Sequence, residues 1–444
     1  MKKILTATVL CGALLSGVAF ADSNTDAQID SLSKAISQIN KTVTALSKIK
    51  VGGYIQTQFQ LTDNDGMVNV NGTNVVLPGK TVPGSYSGGA FALGVHQRFL
   101  IRRGRVKVVY AGDMTEYALE LDATQGGVTI KDLYVKVKEP WWKTASLTVG
   151  CMLRPFGFET QYSSSLRESP EPTRMNQTLI PGEHDLGAMV EIAPTSDQMK
   201  FLNIKFGAFN GTGNTASEND NSKDIVARVG GKFPMADKDM ELDAGVSTLM
   251  GKVRNNSNLL YTLSSKSWVK DSSASHFGSY EDRSVIGLDL EYYYKLPIGS
   301  GTVRGEYMTG KQGSTQNAYD FYNAAYGAAA VAMYDRKVSG YYVNAIQDIG
   351  KQNKFIVKYD MFDPNTDVSG SDIGAAGTNL TYADIAYSTL AVGWMYLWDS
   401  NVKFLLYYEM PKNESVNSSA GGTLAAFKSD VKDNVLTLRA QYKF

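Results

Sequence analysis

The sequence predicts an all-β protein, a sixteen-stranded antiparallel transmembrane β-barrel with a short N-terminal coiled-coil helix. Three observations predict it. From Val51 to Phe444 there are sixteen segments in which apolar and polar residues alternate, the pattern of strands with one oily and one wet face. The connections between them are alternately tight and long, as in barrels with short turns at one rim and long loops at the other. The chain opens on MKKILTATVLCGALLSGVAFA, whose basic start, apolar run and A-x-A ending read as a secretory signal over residues 1–21, cut before Asp22.

Composition agrees with export and with a sheet. There are 42 Gly and 25 Tyr against 12 Pro, and 43% of residues are hydrophobic. After the leader no apolar run is long enough to cross a bilayer as a helix. Lysine and arginine number 44, as do the acids. Loss of Lys2 and Lys3 leaves a slightly acidic chain, which gives no reason to expect a nucleic-acid partner. Cys11 falls in the leader, where the preceding Leu10 argues against a lipid anchor. Cys151 then has no partner for an internal disulfide, and a packing or lipid-facing role is expected.

Residues 22–50 form the first segment. Ile29, Leu32, Ile36, Ile39, Val43 and Leu46 recur at spacings of three and four, the a/d seam of about three heptads. A lone helix with so narrow an apolar stripe is marginal in water. It needs identical neighbours or a groove on its own chain. Ile and Val at a with Leu and Ile at d leave dimer and trimer open, leaning to a homotrimer.

Strands occupy 51–444. GYIQTQFQL places Ile55, Thr57, Phe59 and Leu61 opposite Gln56, Gln58 and Gln60. RFLIRRGRVKVVY puts Arg103, Arg105 and Lys107 on one face. Next come EYALELD, KDLYVKVK and, after the aromatic turn EPWW, SLTVGCML. A loop of about thirty residues precedes GAMVEIA, FLNIKFGAF, DIVARVGGKF and ELDAGVSTLM. The series continues with VIGLDLEYYYKL, TVRGEYMTG, VSGYYVNAIQDI, KFIVKYDMF, LAVGWMYLWD, VKFLLYYEM and NVLTLRAQYKF.

A soluble sandwich and a membrane barrel share this alternation and differ only in which face points in. Export, an even strand number and aromatics beside the short turns (Trp141, Trp142, Tyr292 to Tyr294, Trp398, Phe444) favour the barrel, with lipid as its outer partner. The expected location is the outer membrane of a Gram-negative-type bacterium. The closing strand ends on Phe444 and resembles the signal by which such barrels are presented to the barrel-insertion machinery.

GYIQTQF, FLIRRGRVKV, KDLYVKV, VGCMLRPFGFE, HDLGAMV, GAFNGTG, VKYDMFDPNT and the closing QYKF, in this order after a coiled coil, resemble the phosphate-selective porin O/P family over nearly the whole mature chain. RPFGFE and KYDMFDPNT are the most specific. The resemblance implies a trimeric channel whose third external loop, here 154–186, folds into the bore, with Arg102 and Arg103 at the constriction.

Strand parity selects the inward charges. Arg105, Lys107, Lys136, Lys138 and Arg439 join Arg103 on a cationic side interrupted by Glu116 and Glu120, and Lys358 is nearby. Asp289 and Glu291 belong to an anionic side that also includes Glu241, Asp243 and Glu306, so a transverse field is expected across the bore. A lattice of Arg103 and Arg105 with Glu116 and Glu120 is the alternative. The loop carries Arg154, Arg167 and Arg174 against Glu159, Glu168, Glu171, Glu183 and Asp185. That acidic balance predicts passive diffusion of small hydrophilic solutes and ions, including anions such as phosphate, with weak selectivity. The rival classes are an envelope-tethering or adhesive barrel and an outer-membrane hydrolase. The only histidines, His96, His184 and His276, lie in or beside loops, without an activated serine motif or metal-ligand spacing. No catalytic residue, cofactor or metal is expected.

Overall fold

The structure is a computed structural model and describes residues 23–214, 216–235, 239–322 and 331–444. The leader over 1–21 lies outside the described residues. The chain divides into two compact units, residues 1–50 and 51–444.

In the first unit, helix α1 spans Ser23–Ser47. Its seam residues are well exposed, from 46% at Ile36 to 62% at Leu32. Among the described residues of the unit, none covers them.

In the second unit, eighteen strands share one sheet. Two of them, Leu259–Ser264 and Ser267–Ser272, form a hairpin within a loop. The other sixteen are β1 (Ile49–Thr62), β2 (Gln97–Ala111), β3 (Thr115–Thr124), β4 (Gly127–Lys138), β5 (Ala145–Leu153), β6 (His184–Ile192), β7 (Leu202–Phe209) and β8 (Asp224–Met235). They continue with β9 (Met240–Arg254), β10 (Tyr280–Leu296), β11 (Gly299–Ser314), β12 (Met333–Ile349), β13 (Asn353–Asp363), β14 (Tyr387–Leu397), β15 (Val402–Asn413) and β16 (Val435–Lys443). Each pairs antiparallel with its neighbour in sequence, and β1 pairs with both β2 and β16. The ring is closed, with Tyr54 opposite Lys443 and Thr62 opposite Val435. All sixteen segments read from the sequence are strands of this wall.

Closure explains the alternation. A barrel leaves no free sheet edge, so every backbone group is satisfied within the wall and the outer face can meet hydrocarbon. Phe355 (48% exposed) and Leu438 (45%) lie outside, whereas Lys358 (4%) and Arg439 (6%), one or three positions along the same strands, lie inside. This is the arrangement of a membrane barrel rather than a sandwich. Outward aromatics gather at the rim of short turns: Trp398 stands edge-on to Phe404, and Tyr442 stacks on Phe444. Trp141 and Trp142 are each 78% exposed.

Two local departures from regularity matter. The second connection on the long-loop rim is only Gln125 and Gly126, between β3 and β4. Strand β2 also breaks parity: Arg102 and Arg103 both turn inward to the same carboxylate, which strict alternation forbids. The neighbouring Gly104 amide donates to Asp122 Oδ1 at 3.0 Å. The outward set changes from Phe99 and Ile101 to Val106 and Tyr110, so the break in parity falls within residues 102–105.

Candidate functional site

The segment between β5 and β6, residues 154–183, does not leave the barrel. Most of it is buried, held against inward residues of strands on several sides. It ends three residues before the sequence boundary of 186, because His184–Leu186 pair with Cys151–Leu153 and extend the wall.

Its path begins at RPFGFE. The Arg154 amide donates to the Glu183 carbonyl at 3.0 Å, which closes the base of the loop. Gly157 has φ +58, and a Cβ there would stand 2.5 Å from Glu306 Oε1 on β11. Only glycine permits both the left-handed turn and the close approach. The turn presents the Phe158 and Glu159 amides to the Glu306 carboxylate, while the Gly157 amide donates to Ser247 Oγ on β9 at 2.9 Å. Glu159 accepts from Thr173 through its amide (2.9 Å) and hydroxyl (2.6 Å), and Lys358 on β13 reaches its other oxygen at 3.3 Å.

Thr173 in turn caps the short helix α2 (Arg174–Leu179) through the Asn176 amide. Helix α2 turns Met175 and Leu179 toward the wall. With Phe156 and Ile180 they form an apolar core inside the barrel against Val226, Leu249, Val285, Met308 and Phe362. Five nonpolar residues on neighbouring strands therefore face inward where alternation would suggest a wet lumen. They are the seat of the loop.

The far part of the loop meets the opposite wall. Ser164 meets the Tyr54 hydroxyl at 2.5 Å, and the Ser165 carbonyl accepts from Lys403 (2.8 Å) and Gln441 (3.1 Å). Glu168 turns back instead to Arg304, on the same strand as Glu306, at 3.2 Å. Arg167 donates to Glu183 at 3.1 Å. Glu171 lies among Arg102, Arg103 and Arg439, at 2.8, 2.7 and 3.0 Å. Arg174 is sandwiched between the rings of Tyr86 (4.2 Å) and Tyr387 (4.0 Å), from two other loops or loop edges, and donates to the Tyr319 hydroxyl at 3.3 Å.

The structure thus brings Arg102, Arg103, Arg439 and Glu171 together, and joins Lys358, Arg167, Glu168 and Arg174 to the same loop. Other residues selected by parity pair along the wall instead. Arg105 bonds Glu120 and Asp122, both at 3.1 Å, and Lys107 bonds Glu120 and Asp132. Lys136 bonds Glu191 at 2.8 Å, Glu116 accepts from the Tyr134 hydroxyl, and Lys138 is exposed at the end of β4. Asp289 pairs with Arg228, and Glu291 accepts from the Tyr293 hydroxyl at 2.6 Å. The lattice alternative holds for Arg105 with Glu120 but not for Arg103, whose partner is in the loop. Neither wall is bare, so pairing attenuates the transverse field.

His184 belongs to the wall rather than to the adjoining loop. It is 2% exposed at the start of β6, with Nε2 3.4 Å from Asp132. Cys151 is buried, its Sγ 3.0 Å from the Lys131 carbonyl. Loop partners that the sequence does not reveal are Gln56, Arg304 and Glu306. Gln56 and Glu306 stand on the polar face of their strands, but nothing local shows that a loop 100 or more residues away meets them.

Burial by itself would raise the Glu171 carboxyl, but the three guanidinium charges outweigh it and hold it well below the usual carboxylate range. Burial likewise opposes ionisation of Glu183, and Arg167 is the main charge that lowers it. A depressed carboxyl contributes stability that is fully present above its unfolded value and is lost as pH falls through its folded value. The contacts that Glu171 and Glu183 make should therefore persist from pH 8 to about 4.5. Protection of the loop from limited proteolysis across that range checks this, and a transition near pH 6 would contradict it.

A closed sixteen-stranded barrel, apolar outside and ionisable inside, with a loop folded onto its inner wall, defines the architecture of the outer-membrane porins. No protein-family model matches the chain, and no curated protein sequence matches it. Solved structures do. The outer membrane channel DcaP of Acinetobacter baumannii is 12% identical with a TM-score of 0.54, over 89% of this chain and 97% of that one. OprB of Pseudomonas putida is 8% identical with a TM-score of 0.54, over 90% and 96%. An anion-selective porin from Comamonas acidovorans is 12% identical with a TM-score of 0.51, over 89% and 99%. At these identities the likeness establishes the fold.

Proposed function

We propose that this chain is an outer-membrane porin through which small hydrophilic solutes and ions diffuse passively, with weak selectivity and without strong preference for phosphate. The observation that carries it is the loop 154–183, bound to inward residues on opposite walls of a closed barrel. Such a loop narrows the bore and sets a size limit. The charges beside it are mostly matched in pairs, which supports weak sorting of ions. Likeness to an anion-selective porin and the motif resemblance to the phosphate-selective porin O/P family support small anions among the solutes. Planar-bilayer recordings in a salt gradient test the reading. Expected are discrete conductance steps and a reversal potential of a few millivolts. A strong preference for phosphate over potassium, or no conductance and no sugar-driven swelling of proteoliposomes, would overturn it.

The protein works as a homotrimer in this reading, with three copies of α1 joined along the exposed seam. Ile36 and Ile39 each gain about 1.5–3 kcal/mol per chain on burial in such a bundle. Replacing both with aspartate should lower the temperature at which the trimer dissociates in detergent gels by well over ten degrees, while each barrel keeps its folded mobility. An unchanged dissociation temperature would assign the seam elsewhere.

A further inference from the structure

The inner loop is gripped from two directions. Its first turn is fixed by the wall, through Ser247, Glu306 and Lys358. Its helix α2 is fixed by residues of external loops. Arg174 Nη1 donates to the Tyr319 hydroxyl of the loop 315–332 at 3.3 Å. The Arg174 guanidinium also lies between the rings of Tyr86, in the loop 63–96, and Tyr387, where the loop 364–386 enters β14. One turn further on, Gln177 Nε2 donates to the Tyr86 carbonyl at 2.9 Å, and the Tyr86 hydroxyl lies 3.0 Å from that of Tyr319 and 3.3 Å from Thr178 Oγ1. Arg174 is 7% exposed, so its contacts are rings and a hydroxyl rather than the water of the bore.

A second observation concerns what those loops are tied to. The loops 63–96, 255–279, 364–386 and 414–434 share one apolar core, to which they contribute Leu77, Trp268, Ile385 and Phe427 respectively. The first of them leaves the ring at β1 and the second at β9, on opposite sides, so a core common to both forms a roof across the mouth. Its pin is Arg336 on β12, 1% exposed. Arg336 Nε donates to Asp384 Oδ1 at 2.9 Å and Nη1 to the Thr315 carbonyl at 2.6 Å, and Asp384 accepts in addition from the Thr381 amide and Asn365 Nδ2, both at 2.8 Å. Trp268 stands edge-on to Tyr334 at the start of β12, and its amide donates to the Thr378 carbonyl at 3.1 Å. Tyr387 belongs both to this core and to the Arg174 sandwich. It is where the roof touches the inner loop.

We propose that Arg174 is a positioning residue that couples the bore to this roof, so that the external loops, pinned through Arg336 and Asp384, set the place of α2 and with it the width of the bore. The proposal rests on the channel reading. Helix α2 has two holds, an apolar seat on the wall and a clamp from the roof. The seat is non-directional and fixes how closely the helix approaches the wall. The clamp fixes its orientation, because a planar guanidinium stacked between two rings tolerates little rotation. Loosening the roof therefore frees the second half of the inner loop while the strand ladder stays intact.

The test compares full-length wild type with Arg174→Ala, Arg174→Lys and Asp384→Ala in planar bilayers and in limited trypsin digestion. Asp384 is the informative site, since its partners are Arg336, Asn365 and Thr381 and it acts on α2 through the roof. Single-channel conductance should rise about twofold in Arg174→Ala and in Asp384→Ala, and no further when both are combined, because the two changes break one chain of contacts. Arg174→Lys keeps the charge but loses the stacked plane, and should follow Arg174→Ala. In each variant trypsin should cut at Arg167, which wild type protects. Wild-type conductance and protection in Asp384→Ala would show that the wall alone holds α2, and wild-type behaviour in Arg174→Lys would make Arg174 a charge alone; either overturns the proposal. Should Asp384→Ala not fold, Trp268→Ala, on a hairpin that is no part of the wall, takes its place with the same two outcomes. If no protein carries current, the channel reading fails, and the digestion still decides the coupling: cleavage at Arg167 in Asp384→Ala but not in wild type supports it, and equal protection overturns it.

Discussion

Glu306→Ala should open the barrel. Glu306 is 4% exposed on β11, and its carboxylate is the acceptor for two consecutive loop amides, those of Phe158 and Glu159. Alanine leaves both N–H groups buried without a partner, at about 1–3 kcal/mol each. The turn at Gly157 then loses about 2–6 kcal/mol of the force that fixes it, and Glu159, which the turn positions for Thr173 and Lys358, loses its alignment. Strand pairing is untouched, because the ladder between β11 and its neighbours is made by backbone. The expected result is a folded barrel with single-channel conductance raised several-fold, noisier current, and trypsin cleavage at Arg167 or Arg174 that wild type resists. Glu306→Gln, which retains one acceptor oxygen, should fall between the two. Wild-type conductance and full protease protection in Glu306→Ala would show that the loop is held by its apolar seat alone.

Leu288→Arg should destabilise the inserted barrel by about 2–4 kcal/mol. Leu288 stands at the middle of β10, 50% exposed on the outer face, opposite Val246 on β9 and Tyr307 on β11. An arginine at that depth has no aqueous neighbour and must either strip its hydration or pull water into the bilayer. Leu288→Ala should cost far less, because lipid chains fill the space as well as leucine does. Reversible unfolding in lipid vesicles by guanidinium measures both. If Leu288→Arg unfolds at the wild-type denaturant midpoint, the outer face at β10 does not meet hydrocarbon, and the assignment of inside and outside fails with it.

The strands were legible because period two is a local property. In KFIVKYDMF each residue declares its face by its neighbours two places away, and the closed wall confirms it at Phe355, Val357, Lys358 and Tyr359. Period two fails as a guide where geometry ceases to be local. Alternation puts Arg102 opposite Arg103, yet both point inward, since one irregularity in β2 resets parity and leaves no mark in composition. Apolar residues facing inward, such as Val226 and Leu249, look like defects in a wet lumen until helix α2 is seen against them. His184 stands beside a long loop in the sequence, and only the pairing of β6 with β5 buries it.

The sequence by itself determined a heptad-repeat helix and sixteen two-faced strands, because those patterns follow from helix and strand periods alone. Only the tertiary structure decided which inward charges are free and which are matched. Arg103 and Glu171 are 68 positions apart, and whether they meet depends on a loop held in place by Glu306, Ser247 and an apolar seat on the opposite wall. Hydrogen bonds need near contact, and Coulomb attraction weakens with separation and is screened by salt, so the character of the bore rests on distances that folding sets and spacing along the chain does not contain.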